Sequence, residues 1–169
     1  MDKRSEKILF HEVQRFRQIW IWLIILCLAV ILWYGTIKQI LLNQPFGSNP
    51  APDVVLVIFW VIFGVCFPVL FYSLRMITEV RADGLYIHFF TLKKILWQEL
   101  KSYKVQSYRP IREYCGWGVR YDSKGKAYTV RGNQGVQLEL ITGKRLLVGS
   151  QKPEELARAI SKALGKDED

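Results

Sequence analysis

The chain has 169 residues, half of them hydrophobic, and carries a net charge of +9. This length leaves room for one small domain beside any membrane-spanning segments. The three cysteines, Cys27, Cys66 and Cys115, are far apart, and neither a CxxC motif nor a Cys/His metal spacing occurs. The composition therefore predicts no disulfide framework, no metal and no other cofactor, and each cysteine is expected to be a small packed apolar residue.

Residues 1–18 form a basic segment in front of the first apolar run. Ser5 is a suitable N-cap for a helix, and Leu9, Val13 and Phe16 follow it at helical spacing. The pattern predicts a basic amphipathic cytoplasmic helix that lies on the membrane surface. The alternative is a solvated positive flank that only sets the orientation of the first span.

Two uncharged apolar runs, 19–37 and 54–74, dominate the first half of the chain. Each is close to the roughly 20 residues that a helix needs to cross a bilayer. They predict a two-helix transmembrane hairpin over 19–74 with an external loop over 43–53. The first run has no small-residue cleavage site after it, so it is expected to be a retained anchor rather than a signal peptide. Pro68 predicts a kink in the second helix.

Lysine and arginine are concentrated on the two outer flanks of this hairpin. The tail before it carries a net +2 and the region from Arg75 onward +7, whereas the loop has Asp53 and no basic residue. By the positive-inside rule, both termini are expected to be cytoplasmic. The candidate membrane-interface residues are aromatic residues near the ends of the first span and arginines that flank the spans: Trp20, Trp22, Trp33, Tyr34, Arg15, Arg17 and Arg75.

From Arg75 the pattern changes to the period of two that is typical of strands. Turn signals such as Asp83-Gly84 divide residues 75–165 into short strands followed by one helix that begins at Pro153. The predicted strands number seven: 75–81, 85–90, 96–108, 117–121, 127–131, 136–140 and 144–149. The apolar stripe of the helix is formed by Leu156, Ile160 and Leu164. The tail 166–169 is expected to be disordered.

Seven strands and a final helix resemble the pleckstrin-homology (PH) superfold, a bent antiparallel sheet whose open end is closed by the last helix. The whole chain is similar to a bacterial family of small two-span membrane proteins that has a cytoplasmic PH-like domain and only a domain-of-unknown-function label. The segments that carry this resemblance begin at Arg75, Arg109, Gly132 and Gly149. Cys115 stands where the family motif has glycine. The resemblance implies a protein of the bacterial cytoplasmic (inner) membrane, and it brings no established activity.

Candidate catalytic groups are sparse. The only histidines are His11 and His88, no serine or cysteine has the context of a nucleophile, and no phosphate-binding glycine loop occurs. Glu79, Glu99 and Glu113 are the acids that a fold could bring together. Without a catalytic constellation, the sequence predicts that the protein is not an enzyme.

The most unusual segment of the predicted domain lies between its third and fourth strands. Arginines, an acid, aromatic residues and glycines that leave one strand face bare occur together there, a mixture typical of recognition surfaces. The candidate partner-binding residues are Arg109, Arg112, Glu113, Tyr114, Gly116, Trp117, Gly118 and Arg120. The alternative is a core tryptophan beside a bulge, with arginines that are merely solvated.

The basic surplus suits anionic lipid headgroups or an acidic protein partner. No RNA-binding motif occurs, which argues against nucleic acid, and the short acidic turn Asp83-Gly84 offers no basic loop for a phosphoinositide. The sequence favours a non-enzymatic, membrane-anchored binding or scaffold protein that presents its PH-like domain at the inner membrane face. The alternative is a lipid-responsive or accessory subunit of a larger membrane or transport complex.

Overall fold

The computed structural model of the chain describes residues 7–108, 118–122 and 125–165. The chain divides into two compact units, a helical unit over Phe16–Leu74 and a mainly-β unit formed by Met1–Arg15 together with Arg75–Asp169. The helical unit is therefore an insertion within the sequence of the β unit. This arrangement differs from the predicted boundary at residue 75, which leaves the N-terminal residues out of the domain.

The helical unit contains two helices that are long and apolar enough to cross a membrane, α1 (Ile19–Leu41) and α2 (Asp53–Ser73). Each has a wider π-helical segment, Ile37–Leu41 in α1 and Trp60–Cys66 in α2. The second segment ends just before Pro68, the position at which a kink was predicted. There the Phe67 N–H bonds to a carbonyl five residues earlier rather than four, so the local irregularity of α2 lies in the turn that precedes the proline.

The two helices pack through aromatic residues and a glycine. The Trp33 and Trp60 rings meet edge to face with centroids 5.0 Å apart. The Trp33 indole N–H also donates a 3.2 Å hydrogen bond to the Gly64 carbonyl. Interhelical contact of this kind, with a glycine that lets an aromatic ring approach the backbone, is typical of helix pairs in apolar surroundings.

Four strands form the first sheet in the order β1-β2-β3-β4: β1 (Ile8–Arg15), β2 (Arg75–Arg81), β3 (Gly84–His88) and β4 (Leu92–Leu96). All its neighbouring strands are antiparallel, and Arg15 lies directly opposite Arg75. The predicted N-terminal helix is therefore wrong, because residues 8–15 are a strand. Its buried face alternates through Phe10, Glu12 and Gln14, and the two polar residues conceal the period of two.

The second sheet has the order β5-β8-β9-β7-β6. Its strands are β5 (Leu100–Ser107), β6 (Gly118–Asp122), β7 (Gly125–Thr129), β8 (Gln134–Leu140) and β9 (Arg145–Gly149). Within the described residues the strands thus number nine rather than seven. One added strand is β1 and the other is β4, which lies almost entirely between the second and third predicted strands. A 3₁₀ turn over Trp97–Glu99 separates β4 from β5. The β7–β9 pair is parallel, which departs from the wholly antiparallel sheet that the resemblance implies.

The C-terminal helix α3 (Pro153–Ala163) contacts β1 and β2 of the first sheet and β5 and β8 of the second. It begins at Pro153, as predicted. Leu156 and Ile160 of its predicted apolar stripe are fully buried, and Leu164 is half-buried. Apolar residues from both sheets complete the core: Met76, Val80, Leu85, Ile87, Ile95, Val136, Leu138 and Val148.

Candidate functional site

The outward face of the first sheet carries ionisable side chains across all four strands. The register places His11 of β1 opposite Glu79 of β2. It likewise places Tyr86 of β3 between Glu79 and Lys94 of β4. Two further charged residues adjoin these at the end of β2 and in the β2–β3 turn. We call the whole set the charged row: His11, Glu79, Arg81, Asp83, Tyr86 and Lys94.

Glu79 is the hub of one half of the charged row. Its carboxylate accepts hydrogen bonds from Arg81 Nε at 2.9 Å and Nη2 at 2.6 Å, and His11 Nδ1 lies 3.3 Å away. Partial burial would raise the pKa of the Glu79 carboxyl, but hydrogen bonds and charge from Arg81 and His11 outweigh burial and lower that pKa. The hydrogen bond to Glu79 raises the pKa of Arg81 in turn.

Asp83 is the hub of the other half. Its Oδ2 accepts hydrogen bonds from the Tyr86 hydroxyl at 2.6 Å and from Lys94 Nζ at 2.8 Å. Desolvation opposes the charge, but the hydrogen bonds from Lys94 and Tyr86 lower the pKa of Asp83 below its ordinary value. The Arg81 guanidinium and Lys94 Nζ lie 4.6 Å and 5.1 Å from the Tyr86 ring centroid, within cation–π range.

The charged row suits recognition better than proton transfer. A general base works best when its pKa is raised toward neutral pH and it can reach a substrate proton. Here the pKa values of Glu79 and Asp83 are lowered, and both carboxylates already accept hydrogen bonds from basic or hydroxyl groups. The arrangement holds charges of both signs in fixed positions, as the rim of a polar protein interface does.

A second polar cluster, buried except for Gln151, joins β1 to the start of α3. The Glu12 carboxylate accepts hydrogen bonds from the Ser150 hydroxyl at 2.6 Å and from the Gln151 N–H at 2.8 Å. Gln14 Nε2 donates to the Gly149 carbonyl at 2.8 Å. We call this cluster the Glu12 clamp: Glu12, Gln14, Gly149, Ser150 and Gln151. These hydrogen bonds hold the N-terminal strand against the β9–α3 connection.

Only part of the predicted partner-binding segment lies within the described residues. Arg109, Arg112, Glu113, Tyr114, Gly116 and Trp117 fall outside them, whereas Gly118 and Arg120 belong to β6. Gly118 has a φ of +115°, which favours glycine, and a Cβ there would meet no atom of residues 7–108, 118–122 or 125–165 within 4 Å. Arg120 is exposed on the same strand. With respect to the described part of the chain, the space beside Gly118 is therefore open, and the predicted contact of this segment with a partner stays a prediction.

The second sheet has an exposed strand at each side within the described residues. β6 is one outer strand, and its Tyr121 ring lies 4.6 Å from Lys126 Nζ. β5 is the other. Between β5 and α3 is a shallow groove of about 270 Å³ lined by Val105, Glu154, Ala157 and Arg158. Outer strands present unpaired backbone groups that can accept a further strand.

The predicted membrane-interface residues fall into two groups. In the helical unit, the Trp22 indole N–H donates to the Phe16 carbonyl at 2.8 Å. The Tyr34 ring packs at 5.9 Å from Phe46, while Trp33 is used in helix–helix packing. Trp20 and Arg17 are exposed. In the β unit, Arg15 and Arg75 are exposed and lie opposite each other at the ends of their strands.

Sequence reasoning missed both the charged row and the Glu12 clamp. The sequence offers Glu79 as a member of an acidic group with Glu99 and Glu113, but the partners of Glu79 are His11 and Arg81. Glu113 lies outside the described residues. His88 lies on β3 opposite Ile77 and Leu92. The signal that could have found the charged row was the alternation in residues 8–15, which places His11 and Val13 on one strand face.

Among residues 7–108, 118–122 and 125–165, no group of three His, Cys, Asp or Glu side chains is arranged to hold a metal ion.

Comparisons with known proteins place the chain in a family. Neither a curated protein nor a solved structure matches the chain significantly. A family model described as "Family of unknown function (DUF6141)" matches residues 1–166. The chain, with its two apolar helices inserted into a mainly-β unit, therefore belongs to the DUF6141 family.

Proposed function

We propose that the protein is a non-enzymatic, membrane-anchored binding or scaffold protein whose PH-like β unit faces the cytoplasm at the inner membrane of a bacterium. The observation that carries this proposal is the pairing of β1 with β2. β1 precedes α1, β2 follows α2, and the two strands are neighbours in one sheet. Two strands that share a ladder must lie on the same side of a membrane, so this pairing supports a chain that crosses twice and returns.

The distribution of charge supports the cytoplasmic side for the β unit. The residues from Arg75 onward carry a net +7, and the loop between the helices has no basic residue. Basic residues are retained on the cytoplasmic side of a membrane. The same surplus favours anionic headgroups beside the domain and an acidic surface on a protein partner.

The binding role is supported by the two outer strands of the second sheet. Among residues 7–108, 118–122 and 125–165, β5 and β6 each pair with a strand on one side only, and β6 carries the exposed Arg120 two residues after Gly118. The charged row adds fixed charges of both signs. We expect a protein partner that contacts the segment from Arg109 to Arg120.

Topology is tested by cysteine accessibility in intact cells. In a chain that lacks its three native cysteines, Ser48→Cys probes the loop and Ala82→Cys probes the β2–β3 turn. A membrane-impermeant maleimide is expected to label position 48 and to reach position 82 only after permeabilisation. Labelling of position 82 in intact cells would refute the cytoplasmic placement. Absence of label at both positions in intact cells, with extraction of the chain by alkaline carbonate, would refute the hairpin itself.

Partner binding is tested by capture from mildly solubilised membranes. Arg112→Glu reverses a charge in the predicted segment and is expected to weaken capture, because a reversed charge repels an acidic surface and forfeits bidentate hydrogen bonds. Arg131→Glu, at an exposed arginine outside this segment, is the matched control. Equal capture by both variants, at equal melting temperature, would contradict the assignment. Capture of an integral-membrane partner that also survives Arg112→Glu would favour an accessory subunit instead.

A further inference from the structure

The register of the first sheet gathers exposed side chains at one end of its strands. β1 ends at Arg15 and β2 begins at Arg75, directly opposite. The β2–β3 turn lies at the other end of these strands, and β3 runs back from it toward the start of β2. The turn over residues 89–91, which follows β3 and leads into β4, therefore lies beside Arg75. We call this the basal end and define it by four exposed residues: Arg15, Arg75, Phe90 and Leu92.

The β3–β4 turn presents apolar surface to solvent. Phe90 is 68% exposed and Leu92 is 56% exposed. The Phe89 and Phe90 rings meet edge to face, with centroids 4.6 Å apart, and Phe89 is half-buried. The two rings therefore pack on each other, and Phe90 is the more exposed of the pair. Exposed apolar residues clustered at one place, rather than scattered singly, mark a contact surface.

The two arginines beside this turn repel each other unless an anion lies between them. Side chains directly opposite in an antiparallel ladder have Cβ atoms about 5 Å apart, and like charges at such positions repel. Among the described residues, no carboxylate lies within ion-pair distance of either Arg15 or Arg75. The next row of the outward face holds Val13, Ile77 and His88 and contains no carboxylate. An anion bound between the guanidinium groups would relieve their repulsion.

The short connections between the two arginines and the helices indicate which anion can reach them. Arg75 follows the last residue of α2 by two positions, and Arg15 precedes the first residue of α1 by four. A chain extends by at most about 3.6 Å per residue, so the two arginines lie within about 7 Å and about 14 Å of the helix ends. Where those helices cross a bilayer, these distances reach the headgroup region.

We propose that the basal end is a bilayer-contact surface. Phe90 and Leu92 enter the boundary between headgroups and acyl chains, and Arg15 with Arg75 holds the phosphates of anionic phospholipids. The proposal deepens the proposed function and rests on its two-span anchor. It fits the chemistry of the interface, where aromatic rings and arginines with apolar stems are favoured and where cationic residues are attracted to anionic lipid. The β unit then has a third attachment besides its two helix connections.

The test uses the full-length protein, without its native cysteines, in phospholipid vesicles. Phe90→Cys carries the environment-sensitive fluorophore NBD, and Ala82→Cys carries the same fluorophore as a matched control. Ala82 is exposed in the turn at the opposite end of the same strands, which is about 20 Å away at about 3.4 Å per residue. Doxyl-labelled lipids report depth. We expect NBD at position 90 to have blue-shifted emission and to be quenched by shallow doxyl groups, with neither effect at position 82.

Equal emission and no quenching at both positions would overturn the proposal. So would a blue shift at position 90 without doxyl quenching, because protein and not lipid would then cover the turn. Ser48→Cys accessibility in the same vesicles reports whether the helices span, so failure of the basal contact is distinguished from failure of the anchor.

Phosphate binding by Arg15 and Arg75 is tested by comparing vesicles of different lipid charge. Quenching at position 90 is expected to be stronger in vesicles that contain phosphatidylglycerol than in pure phosphatidylcholine. The double variant Arg15→Gln with Arg75→Gln should remove this difference. Quenching that is independent of both lipid charge and the two arginines would overturn the phosphate-binding role.

Discussion

Replacing Glu12 with alanine should destabilise the β unit, although Glu12 lies in a segment that is read from sequence as a basic flank. The Glu12 carboxylate accepts hydrogen bonds from the Ser150 hydroxyl and the Gln151 N–H, at 2.6 Å and 2.8 Å. Alanine removes both acceptor atoms. The Ser150 hydroxyl is buried, so water cannot easily replace the lost partner.

The expected cost follows from those two bonds. A buried donor or acceptor left without a partner costs about 1–3 kcal/mol, and a hydrogen bond to a charged group contributes about 1.5–3 kcal/mol. Gln151 is exposed, so its N–H recovers part of its bond from water. Together we expect Glu12→Ala to lower the free energy of unfolding by about 2–4 kcal/mol. That is a large fraction of the roughly 5–15 kcal/mol by which a domain is stable.

The measurement is amide hydrogen exchange of the full-length protein in lipid nanodiscs, at the amides of β1 and at the start of α3. Glu12→Ala should speed exchange there by about 30- to 1000-fold, the factor that corresponds to 2–4 kcal/mol. Glu12→Gln, which keeps an acceptor oxygen, should cost less. Glu99→Ala, which removes an exposed carboxylate, is the matched control. Exchange in Glu12→Ala that matches that of Glu99→Ala would refute the reasoning.

Three further outcomes follow from the fold. Ile160→Ala truncates a fully buried residue of α3 and should lower the free energy of unfolding by about 2–5 kcal/mol, measured by chemical denaturation. A decrease no larger than that of Ile141→Ala, which truncates an exposed residue, would show that α3 is not docked. The lowered pKa values of Asp83 and Glu79 mean that their stabilisation is present above the ordinary carboxyl pKa and is lost as acid protonates them below about pH 4. Asp83→Asn should therefore flatten the fall of the urea midpoint between pH 5 and pH 3, and an unchanged slope would contradict this. Replacing residues 16–74 by Asn-Gly should give a folded, water-soluble unit, because a two-residue turn can join the opposite residues Arg15 and Arg75. Residues 75–165 alone, without β1, should melt at a lower temperature or aggregate, and equal melting of the two proteins would remove β1 from the cooperative unit.

The parts of the fold that the sequence predicts correctly are those with local signals. The two apolar runs are helices because their composition allows little else, and α3 begins at its proline. The turn at Asp83-Gly84 joins two strands, as its residues predict. In each case the signal and the element occupy the same short stretch of chain, so no knowledge of distant residues is needed.

The parts that were missed depend on residues far apart in the chain. β1 has Glu12 and Gln14 on its buried face. Glu12 is stabilised there by hydrogen bonds from Ser150 and Gln151, about 140 positions later in the chain. The charged row likewise requires the register that sets His11 opposite Glu79. β4 was hidden by Lys93 and Lys94, which are exposed on an outer strand, where burial does not select for apolar residues.

The separation of β1 from β2 by the helical unit imposes an order on assembly. β1 is synthesised first, and β2 appears only after the 59 residues Phe16–Leu74 have been made. Closing so long a loop in a free chain is entropically costly and slow. Insertion of α1 and α2 as an antiparallel pair brings the ends of that loop together before the sheet forms. We therefore expect β2, β3 and β4 to fold through their local hairpins and β1 to join them only once the helices have paired. If the two helices span a membrane as proposed, their insertion would then speed the completion of the first sheet.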